Sequence, residues 1–522
     1  MESKIRKFVA EQQLFVKRQL QAEMGLPSSP KGIFQASATP NRKGSGLDSL
    51  RIARLDMDAG GCTAVIFAIP PNCEKSKITE FRKGDIVSVD SDLGVYRKDG
   101  ESCMEGVLLK ISTSEVSVAI GKKDKIPENW DTGYTMWRLA TDISYCRMLS
   151  ALSELERMGD RPELHAVLFG EMTPQSNEEV IDFFNTSLND SQKVAVTEAV
   201  NSTTVSLIHG PPGTGKTHTI VEIVRQLRSR GLRVLVCGPS NVAADNLTER
   251  LGSYNELRLV RLGHPSRILP GAVEYCLDKL ICETYEGKII VAKRNRLKWA
   301  IKSLETARYY RRDELYSEIS SLRNEIQVLE KEVTSRIIGE SKVVLSTLCG
   351  SGADYLSEER FDVVVIDEAS QAQEAECWIA ALKAPRLILA GDQHQLPPTI
   401  MLPNEEVETM FDRIKDMWPS VSRMLNIQYR MHRDIAQVSC DVLYESKLVP
   451  HSSVEGHLLC GMSFVRRTEN TSVPLVLVDT ADANMPESTR SWKKKSANDN
   501  SKSNEFEADI AVKHVRSLIN AG

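Results

Sequence analysis

The run from Gly210 to Thr217, which reads GPPGTGKT, has the residue types and spacing of a phosphate-binding loop. In such a loop the glycines let backbone N–H groups turn towards an anion, the lysine reaches the β- and γ-phosphates, and the last hydroxyl ligates Mg²⁺. Residues 203–209 before the run are apolar and β-branched, which predicts a buried strand, and the apolar residues of 220–227 recur at helical spacing. Strand, glycine loop and helix in this order predict a nucleotide site, because the helix N-terminus adds partial positive charge.

Two acids, Asp367 and Glu368, follow the apolar run 361–366. At the end of a buried strand, one carboxylate can help to hold Mg²⁺ while the other orients and deprotonates an attacking water. An Asp-Glu pair alone is a weak signal. Its place about 150 residues after a phosphate loop makes magnesium-dependent nucleotide chemistry the favoured interpretation.

Gln192 lies shortly before the loop, next to a candidate helix N-cap at Asn189 or Asp190. Its amide carries both donors and an acceptor, as reading adenine requires. Capping is the commoner role of such a segment, so the residues alone leave both interpretations open.

Other polar side chains follow further predicted strands. Gln395 could sense a γ-phosphate, Tyr429 could stack on a base, and Arg430 could neutralise phosphate charge. Ser240 and Asn241 follow a strand end, where ligands collect in open parallel sheets. Taken singly, each of these segments also fits a plain loop or an ordinary turn with a helix cap.

The composition is that of a globular protein, with 522 residues, 41% apolar and 26% charged, and its length predicts two to four domains. The sequence contains no run of 18 apolar residues, so we expect no membrane span. The N-terminus has no apolar signal core. The 11 scattered cysteines form no C-x-x-C pair, so we expect reduced thiols and no zinc site. A net charge of −5 decides nothing about nucleic acid, because local patches matter more than the total.

Elements of different character surround the nucleotide motifs. Residues 1–25 and 139–158 have helical periodicity, and residues 50–125 contain short apolar runs separated by turns, which predicts a small barrel between paired stalk helices. The barrel could bind nucleic acid or brace its neighbours. Turn residues at 28–30 break the first helical pattern.

Residues 271–338 predict a helical insertion, which we interpret as a hairpin. The stretch 293–312 holds eight basic side chains against one acid, and from Leu315 to Val333 apolar residues follow a heptad spacing. The basic stretch could grip phosphates or form a solvated helix face, and the sequence favours neither.

Near the end of the chain, we expect a strand at 475–479, a disordered polar loop at 484–505 and a helix at 505–519.

Taken together, these segments resemble the motif order of the up-frameshift-type superfamily 1B helicases. The matching segments are Gln192, GPPGTGKT at 210–217, GPSNVAADNL at 238–247, VRLGHPSR at 260–267, IDEASQA at 366–372, LAGDQHQLPPT at 389–399 and QYRMH at 428–432. AAA+ ATPases share the phosphate loop, whereas GDQHQLPP with QYRMH is specific to the helicase group. The resemblance spans nearly the whole chain.

The resemblance implies an α/β fold: a P-loop NTPase, RecA-like domain with a parallel sheet, an inserted β-barrel and a helical insertion, followed by a partial second RecA-like domain, with ATP bound between the two. The expected ranges are 1–30 and 136–160 for stalk helices, 31–135 for the barrel, 161–268 and 340–415 for the first RecA-like domain, 269–339 for the helical insertion and 416–522 for the second RecA-like domain.

It also implies roles for single residues. Lys216 contacts the β- and γ-phosphates, Thr217 and Asp367 hold Mg²⁺, and Glu368 is the catalytic base. Gln395 and Arg430 sense the γ-phosphate, Gln192 reads adenine and Tyr429 stacks on it. The implied nucleotide contacts are Gln192, Gly210, Pro211, Pro212, Gly213, Thr214, Gly215, Lys216, Thr217, Tyr429 and Arg430. The implied nucleic-acid contacts are Ser240, Asn241, Thr347, Pro398 and Thr399.

The function that the resemblance implies is ATP-driven 5′→3′ movement on single-stranded DNA or RNA, with ATP and Mg²⁺ as cofactors. We expect a monomer in cytoplasm or nucleus with no membrane contact, and ribonucleoprotein or ribosome-associated factors as further candidate partners. No N-K-x-D guanine motif occurs, which argues against a signalling GTPase.

One departure from the family pattern leaves an alternative open. After Arg430 we find no equivalent of the family's glycine-glutamine-rich and final threonine-arginine motifs, so we expect a fragment or a truncated product with exposed apolar surface. An arginine at the γ-phosphate is worth about 10³–10⁵ in rate. The alternative function is therefore a module that binds ATP and nucleic acid but is deficient in hydrolysis or unwinding.

Overall fold

A computed structural model describes residues 1–24, 42–57, 63–71, 73, 75–79, 81–91, 103–120, 132–139, 143–159, 161–306, 309–402, 405, 407–481, 483, 485 and 503–522. The predicted break at 28–30 and most of the predicted loop at 484–505 lie outside these residues. The chain divides into two compact units. The first comprises Met1–Ser187, Val194–Ile208 and Thr217–Arg423, and the second comprises Leu188–Lys193, His209–Lys216 and Met424–Gly522.

The α-helices of the described residues are α1 (Glu2–Met24), α2 (Lys75–Ile78), α3 (Ile143–Arg157), α4 (Glu163–Leu168), α5 (Asp190–Asn201), α6 (Lys216–Ser229), α7 (Asn241–Gly252), α8 (Leu277–Glu283), α9 (Tyr285–Thr306), α10 (Tyr309–Glu340), α11 (Glu374–Ala381), α12 (Met410–Met417), α13 (Arg433–Leu443) and α14 (Glu505–Ala521). The strands are β1 (Arg42–Met57), β2 (Thr63–Ala68), β3 (Ile86–Ser91), β4 (Cys103–Ile111), β5 (Glu115–Ile120), β6 (Tyr134–Leu139), β7 (Val205–His209), β8 (Val234–Gly238), β9 (Leu259–Arg261), β10 (Val343–Thr347), β11 (Val363–Ile366), β12 (Leu387–Gly391), β13 (Ser422–Met424), β14 (Ile427–Gln428) and β15 (Val449–Pro450).

A parallel α/β sheet forms the centre of the first unit. Its seven strands follow the order β13-β7-β12-β11-β8-β10-β9, and the pairs from β12 to β9 are parallel. Strands β7, β8, β11 and β12 are buried along their whole length, as apolar runs of this kind predict for a sheet covered on both faces. The predicted P-loop NTPase fold class with a parallel sheet is thus confirmed.

The predicted barrel is also present in the first unit. Strands β1 to β6 close it in the order β1-β2-β5-β4-β3-β6, with antiparallel neighbours throughout. The range predicted for the second stalk helix, 136–160, is wrong at its start. Residues 134–139 form the last barrel strand, because buried Tyr134 and Met136 alternate with half-buried neighbours at the period of a strand. The helix begins only at Ile143 and packs along α1.

Helices α9 and α10 pack against each other as the predicted hairpin, and the heptad residues of α10 are buried except for Leu329, which is half-buried. Four basic side chains of α9 form ion pairs within the unit: Lys293 with Glu325, Arg294 with Glu330 (2.7 Å), Arg296 with Glu318 (2.8 Å) and Lys298 with Asp56 of the barrel (3.0 Å). Much of the basic charge is therefore balanced inside the unit, which favours the solvated, internally paired face over a phosphate grip.

Regular structure is sparse in the second unit. Strands β14 and β15 form a two-stranded parallel sheet, and α14 matches the helix predicted at 505–519. The strand predicted at 475–479 is wrong: these residues are irregular, and Leu477 is 90% exposed. A strand needs a hydrogen-bonded neighbour, and the described residues supply none here. No helix among the described residues combines the length and apolar character that a membrane crossing requires.

Candidate nucleotide and nucleic-acid sites

The phosphate loop of the second unit is built around glycine. Gly213 and Gly215 have φ angles of +76° and +80°, a region that side chains other than glycine rarely adopt. A Cβ atom on Gly213 would lie 2.6 Å from Cβ of Arg430, and one on Gly215 would lie 2.5 Å from Nε2 of Gln192. The buried Thr214 closes the turn, since its hydroxyl donates to the carbonyl of Pro211 over 2.7 Å.

Gln192 caps a helix and also supports the phosphate loop, while its role in reading adenine stays a prediction. Its Oε1 accepts a hydrogen bond from the backbone N–H of Asn189 (3.0 Å), and Oδ1 of Asn189 accepts one from the backbone N–H of Gln192 (3.0 Å). This reciprocal pair is a capping box at the start of α5. The Nε2 group of Gln192 donates to the carbonyl of Thr214 (3.0 Å), so the capped helix end also holds the phosphate loop.

Tyr429 is fixed beside the same loop. Its backbone N–H donates to the carbonyl of Gly213 (2.8 Å), and its phenol accepts a hydrogen bond from Nδ2 of Asn189 (3.0 Å). The ring lies 4.6 Å from the ring of His451 and remains 37% exposed. One exposed aromatic face beside a phosphate loop suits the stacking of a base.

Arg430 owes its position to Gln428, which is wholly buried. Oε1 of Gln428 accepts from the backbone N–H groups of Arg430 (2.8 Å) and Met431 (2.7 Å), and its Nε2 donates to the carbonyl of Met431 (2.7 Å). The guanidinium of Arg430 is exposed and forms no hydrogen bond or ion pair with any described residue. It is therefore available to an anionic ligand of the second unit.

The predicted acids lie in the first unit, directly after β11. Asp367 is buried, its backbone N–H donates to the carbonyl of Cys237 (2.8 Å), and its Oδ1 accepts from the backbone N–H of Glu368 (2.9 Å). Glu368 has φ +55°, a left-handed conformation that is uncommon for a residue with a side chain and that clusters at functional sites. Its Oε2 accepts from Nε2 of Gln371 (3.0 Å).

Gln395 is oriented by a buried acid in the loop after β12. Its Nε2 donates to Oδ2 of Asp392 (2.8 Å), while the backbone N–H of Asp392 donates to the hydroxyl of Ser370 (3.0 Å). Ser370 belongs to the segment after Glu368, so hydrogen bonds join the loops after β11 and β12. Since these strands are neighbours in the sheet, Asp367, Glu368 and Gln395 follow adjacent carboxyl ends.

Three predicted nucleic-acid contacts follow another pair of neighbouring strands. Ser240 and Asn241 come after β8 and Thr347 ends β10, which runs parallel to β8 with Thr347 opposite Gly238. Ser240 caps α7 by accepting from the backbone N–H of Ala243 (3.2 Å). These three residues are exposed or half-buried at one edge of the sheet.

The other two predicted contacts, Pro398 and Thr399, lie in the loop after β12. Thr399 is exposed and its carbonyl accepts from Nε2 of Gln373 (3.4 Å), whereas Pro398 is buried. Thr399 is thus the exposed member of the pair, and the nucleic-acid contacts of both residues stay a prediction.

The sequence does not indicate several residues that support the candidate sites. Gln428, Gln371 and Asp392 were part of recognised motifs, but a motif does not say which of its members holds another. His451 follows Tyr429 by 22 positions with no signal of its own. Only the fold brings its ring to Tyr429.

The residues fit ATP and Mg²⁺. The glycine cradle of the second unit has no room for side chains, which is what close approach of backbone N–H groups to phosphate requires. Thr217 offers a hydroxyl at the start of α6, and Asp367 offers a carboxylate; oxygen ligands of this kind suit Mg²⁺.

Comparison with known proteins agrees with this geometry. Two family models, each described as an AAA domain, match residues 187–403 and 407–522. DNA polymerase alpha-associated DNA helicase A of Schizosaccharomyces pombe is 36% identical over 520 residues, which cover 96% of this chain and 77% of that protein. DNA-binding protein SMUBP-2 of Mesocricetus auratus, an immunoglobulin mu-binding protein 2, is 37% identical over 85% of this chain and 45% of its own length. An uncharacterized ATP-dependent helicase of Methanocaldococcus jannaschii is 35% identical over 60% of this chain and 53% of its own length.

The chain thus spans about three quarters of the first relative and less than half of the second. The motifs that carry the resemblance all fall within the matched residues. The identity to the yeast helicase along almost the whole chain confirms the predicted family: this chain belongs to the up-frameshift-type superfamily 1 helicases.

Proposed function

We propose that this chain is an ATP-dependent helicase that moves 5′→3′ along single-stranded DNA or RNA and hydrolyses ATP with Mg²⁺. The observation that carries the proposal is the second unit, where Gln192, the phosphate loop, Tyr429 and Arg430 are joined by hydrogen bonds and close contacts. The residues proposed to recognise the base, the phosphates and the charge therefore belong to one compact unit. The 5′→3′ direction is supported by the family resemblance.

In this proposal the second unit binds ATP. Tyr429 stacks on adenine, Gln192 hydrogen-bonds to it, and backbone N–H groups of the loop together with Lys216 hold the phosphates. Arg430 places a guanidinium at the γ-phosphate, where charge develops during phosphoryl transfer. Its freedom from protein partners among the described residues supports this role.

Residues of the first unit supply the hydrolytic chemistry. Glu368 orients a water and takes its proton, and the Gln371 side chain keeps that carboxylate in place. Gln395, held by Asp392, contacts the γ-phosphate. Thr217 and Asp367 would hold Mg²⁺, which neutralises phosphate charge when bound.

Nucleic acid is proposed to contact the strand-end residues Ser240, Asn241 and Thr347 together with Thr399. The first two relatives are named as a DNA helicase and a DNA-binding protein, which supports DNA as one substrate. Backbone contacts and stacking tolerate any sequence, so we expect little base preference. We further propose a monomer that works in cytoplasm or nucleus, with ribonucleoprotein or ribosome-associated factors as candidate partners.

The test compares the chain with its Lys216→Ala variant in ATP hydrolysis, with and without a single-stranded oligonucleotide, and in unwinding of duplexes that carry a 5′ or a 3′ overhang. Loss of one group that stabilises the transition state should lower hydrolysis by about 10²–10³-fold. Unwinding by the unchanged chain should require the 5′ overhang. Lys7→Ala, an exposed lysine of α1, serves as the control.

Retention of nucleic-acid-stimulated hydrolysis by the Lys216→Ala variant would refute the helicase assignment. Unwinding from the 3′ overhang would refute the direction alone. Binding of ATP and oligonucleotide without turnover by the unchanged chain would favour a binding module.

A further inference from the structure

Arg261 belongs to the segment VRLGHPSR at 260–267, to which the proposed function gives no role. It ends β9, and its side chain is wholly buried in an ion pair with Asp245 of α7. Nε of Arg261 donates to Oδ1 of Asp245 over 2.7 Å, and Oδ2 of Asp245 accepts from the backbone N–H of Leu269 over 2.8 Å. Both charges are therefore paired and held in one geometry.

The other side of the guanidinium reaches a predicted nucleic-acid contact. Nη2 of Arg261 donates to Oδ1 of Asn241 over 3.0 Å, and Nη1 donates to the carbonyl of Leu262. Gly263 leaves room for this arrangement, since a Cβ atom there would lie 3.0 Å from Nη1. The buried cation thus connects β9 to the first residue of α7.

This contact decides which way the Asn241 amide points. A guanidinium has donors and no acceptor, so only the amide oxygen can face it, and the Nδ2 group must point away. Asn241 is half-buried, and its Nδ2 forms no hydrogen bond with any described residue. The arrangement leaves an N–H donor free for a ligand.

We infer that Arg261 is a positioning residue for nucleic acid: it fixes the Asn241 amide so that Nδ2 donates to a phosphate oxygen of the bound strand. Phosphate oxygens only accept hydrogen bonds, so a flipped amide would present an acceptor to an acceptor. The inference rests on the proposed function, because it names a determinant of the same nucleic-acid site.

The test is a double-mutant cycle in the whole chain, read by fluorescence anisotropy of a labelled single-stranded oligothymidylate. Arg261→Lys keeps a positive charge for Asp245 but loses the planar fork that reaches Asn241. We expect Asn241→Ala and Arg261→Lys each to weaken binding about tenfold. The double variant should bind within about twofold of Asn241→Ala, because both changes remove the same contact.

A matched control separates positioning from stability. In the same unit, the half-buried Arg413 forms an ion pair with the buried Glu374 (2.6 Å). Arg413→Lys should lower the melting temperature to a similar extent as Arg261→Lys while leaving the affinity within about twofold of the unchanged chain. Equal losses of affinity in both lysine variants would overturn the inference.

The remaining outcomes are also decisive. Full affinity in Arg261→Lys, or a double variant about 100-fold weaker than the unchanged chain, would mean that Arg261 does not act through Asn241. If Arg261→Lys does not fold, Asn241→Asp provides the test. Its second carboxylate oxygen would face the bound nucleic acid as an anion, so its affinity for the oligonucleotide should be lower than that of Asn241→Ala. Equal or tighter binding overturns the inference. Failure of the unchanged chain to bind would instead overturn the proposed function itself.

Discussion

Two features of the Tyr429 side chain could hold a nucleotide base: the hydrogen bond that fixes its phenol and the stacking surface of its ring. Its phenol accepts a hydrogen bond from Asn189, and its ring is free on part of its surface. Tyr429→Phe removes the hydrogen bond but keeps the ring, so KM for ATP should change by only about twofold to threefold. Tyr429→Ala removes the stacking surface and should raise KM about tenfold to 100-fold. Steady-state ATP hydrolysis measures both, and an alanine variant with an unchanged KM would exclude stacking.

At the same scale, the sequence predicts the candidate site residues but few of the side chains that hold them in place. Gln192 and Tyr429 were recognisable because motif spacing marks them. Asn189, predicted as a possible cap, also holds the phenol of Tyr429, and this second bond depends on a fold that brings together residues 240 positions apart. A single sequence carries no signal for such a pairing.

At the scale of the element, the effect of an alanine in the phosphate loop can be predicted at Gly215, and Gly231 provides the control. Gly215 and Gly231 both have positive φ angles, +80° and +81°, so alanine at either position should cost about 1–2 kcal/mol in backbone strain. A Cβ atom on Gly231 would lie within 4 Å of none of the described residues apart from its chain neighbours, whereas a Cβ atom on Gly215 would displace Gln192 from its bond to Thr214.

Both alanine variants should therefore lose stability, but only Gly215→Ala should also bind ATP more weakly, by about tenfold or more. Thermal melting and titration with a fluorescent ATP analogue give the two quantities. Equal ATP affinities in the two variants would show that the packing of Gln192 on the loop does not support nucleotide binding.

Elements were predictable where burial on both faces imposes a continuous apolar run, as in β7, β8, β11 and β12. The wrong element predictions fall on segments that are not buried on both faces. The predicted range of the second stalk helix, 136–160, includes residues 136–139 of β6, because so few residues display neither period clearly and the barrel partners β1 and β3 decide the outcome. Residues 475–479 have strand composition, but the described part of the chain offers them no neighbouring strand, and composition cannot supply one.

At the scale of the whole molecule, each of the two compact units is built from three segments that are separate in the sequence. The second unit collects residues 188–193, 209–216 and 424–522. From the sequence, the first two of these segments were assigned to the first RecA-like domain at 161–268 and 340–415, and that division stays a prediction. Domain boundaries are hard to predict here because short functional loops pack with partners more than 200 residues away.

The stability of the whole fold should depend on pH through His165, a core residue of α4. Its ring is 1% exposed and lies 5.5 Å from the ring of Trp378, and neither ring nitrogen has a hydrogen-bond partner among the described residues. Burial, reinforced by the nearby Arg161 charge, lowers the pKa of His165 to about 4. The folded chain therefore resists a proton that the unfolded chain, with an ordinary histidine pKa of about 6.5, accepts readily.

Because the folded-state pKa is the lower one, this contribution to stability is complete above about pH 6.5 and is lost as the pH falls towards about 4. The shift corresponds to about 3 kcal/mol in the free energy of unfolding. His165→Leu replaces the imidazole with an apolar side chain of similar bulk that cannot bind a proton, so its melting temperature should fall less than that of the unchanged chain between pH 7 and pH 5. At pH 8, where the histidine is neutral in both states, this linkage contributes nothing to the difference between the two proteins. If the melting temperatures of the two proteins fall equally with pH, protonation of the buried imidazole does not limit the acid stability of the fold.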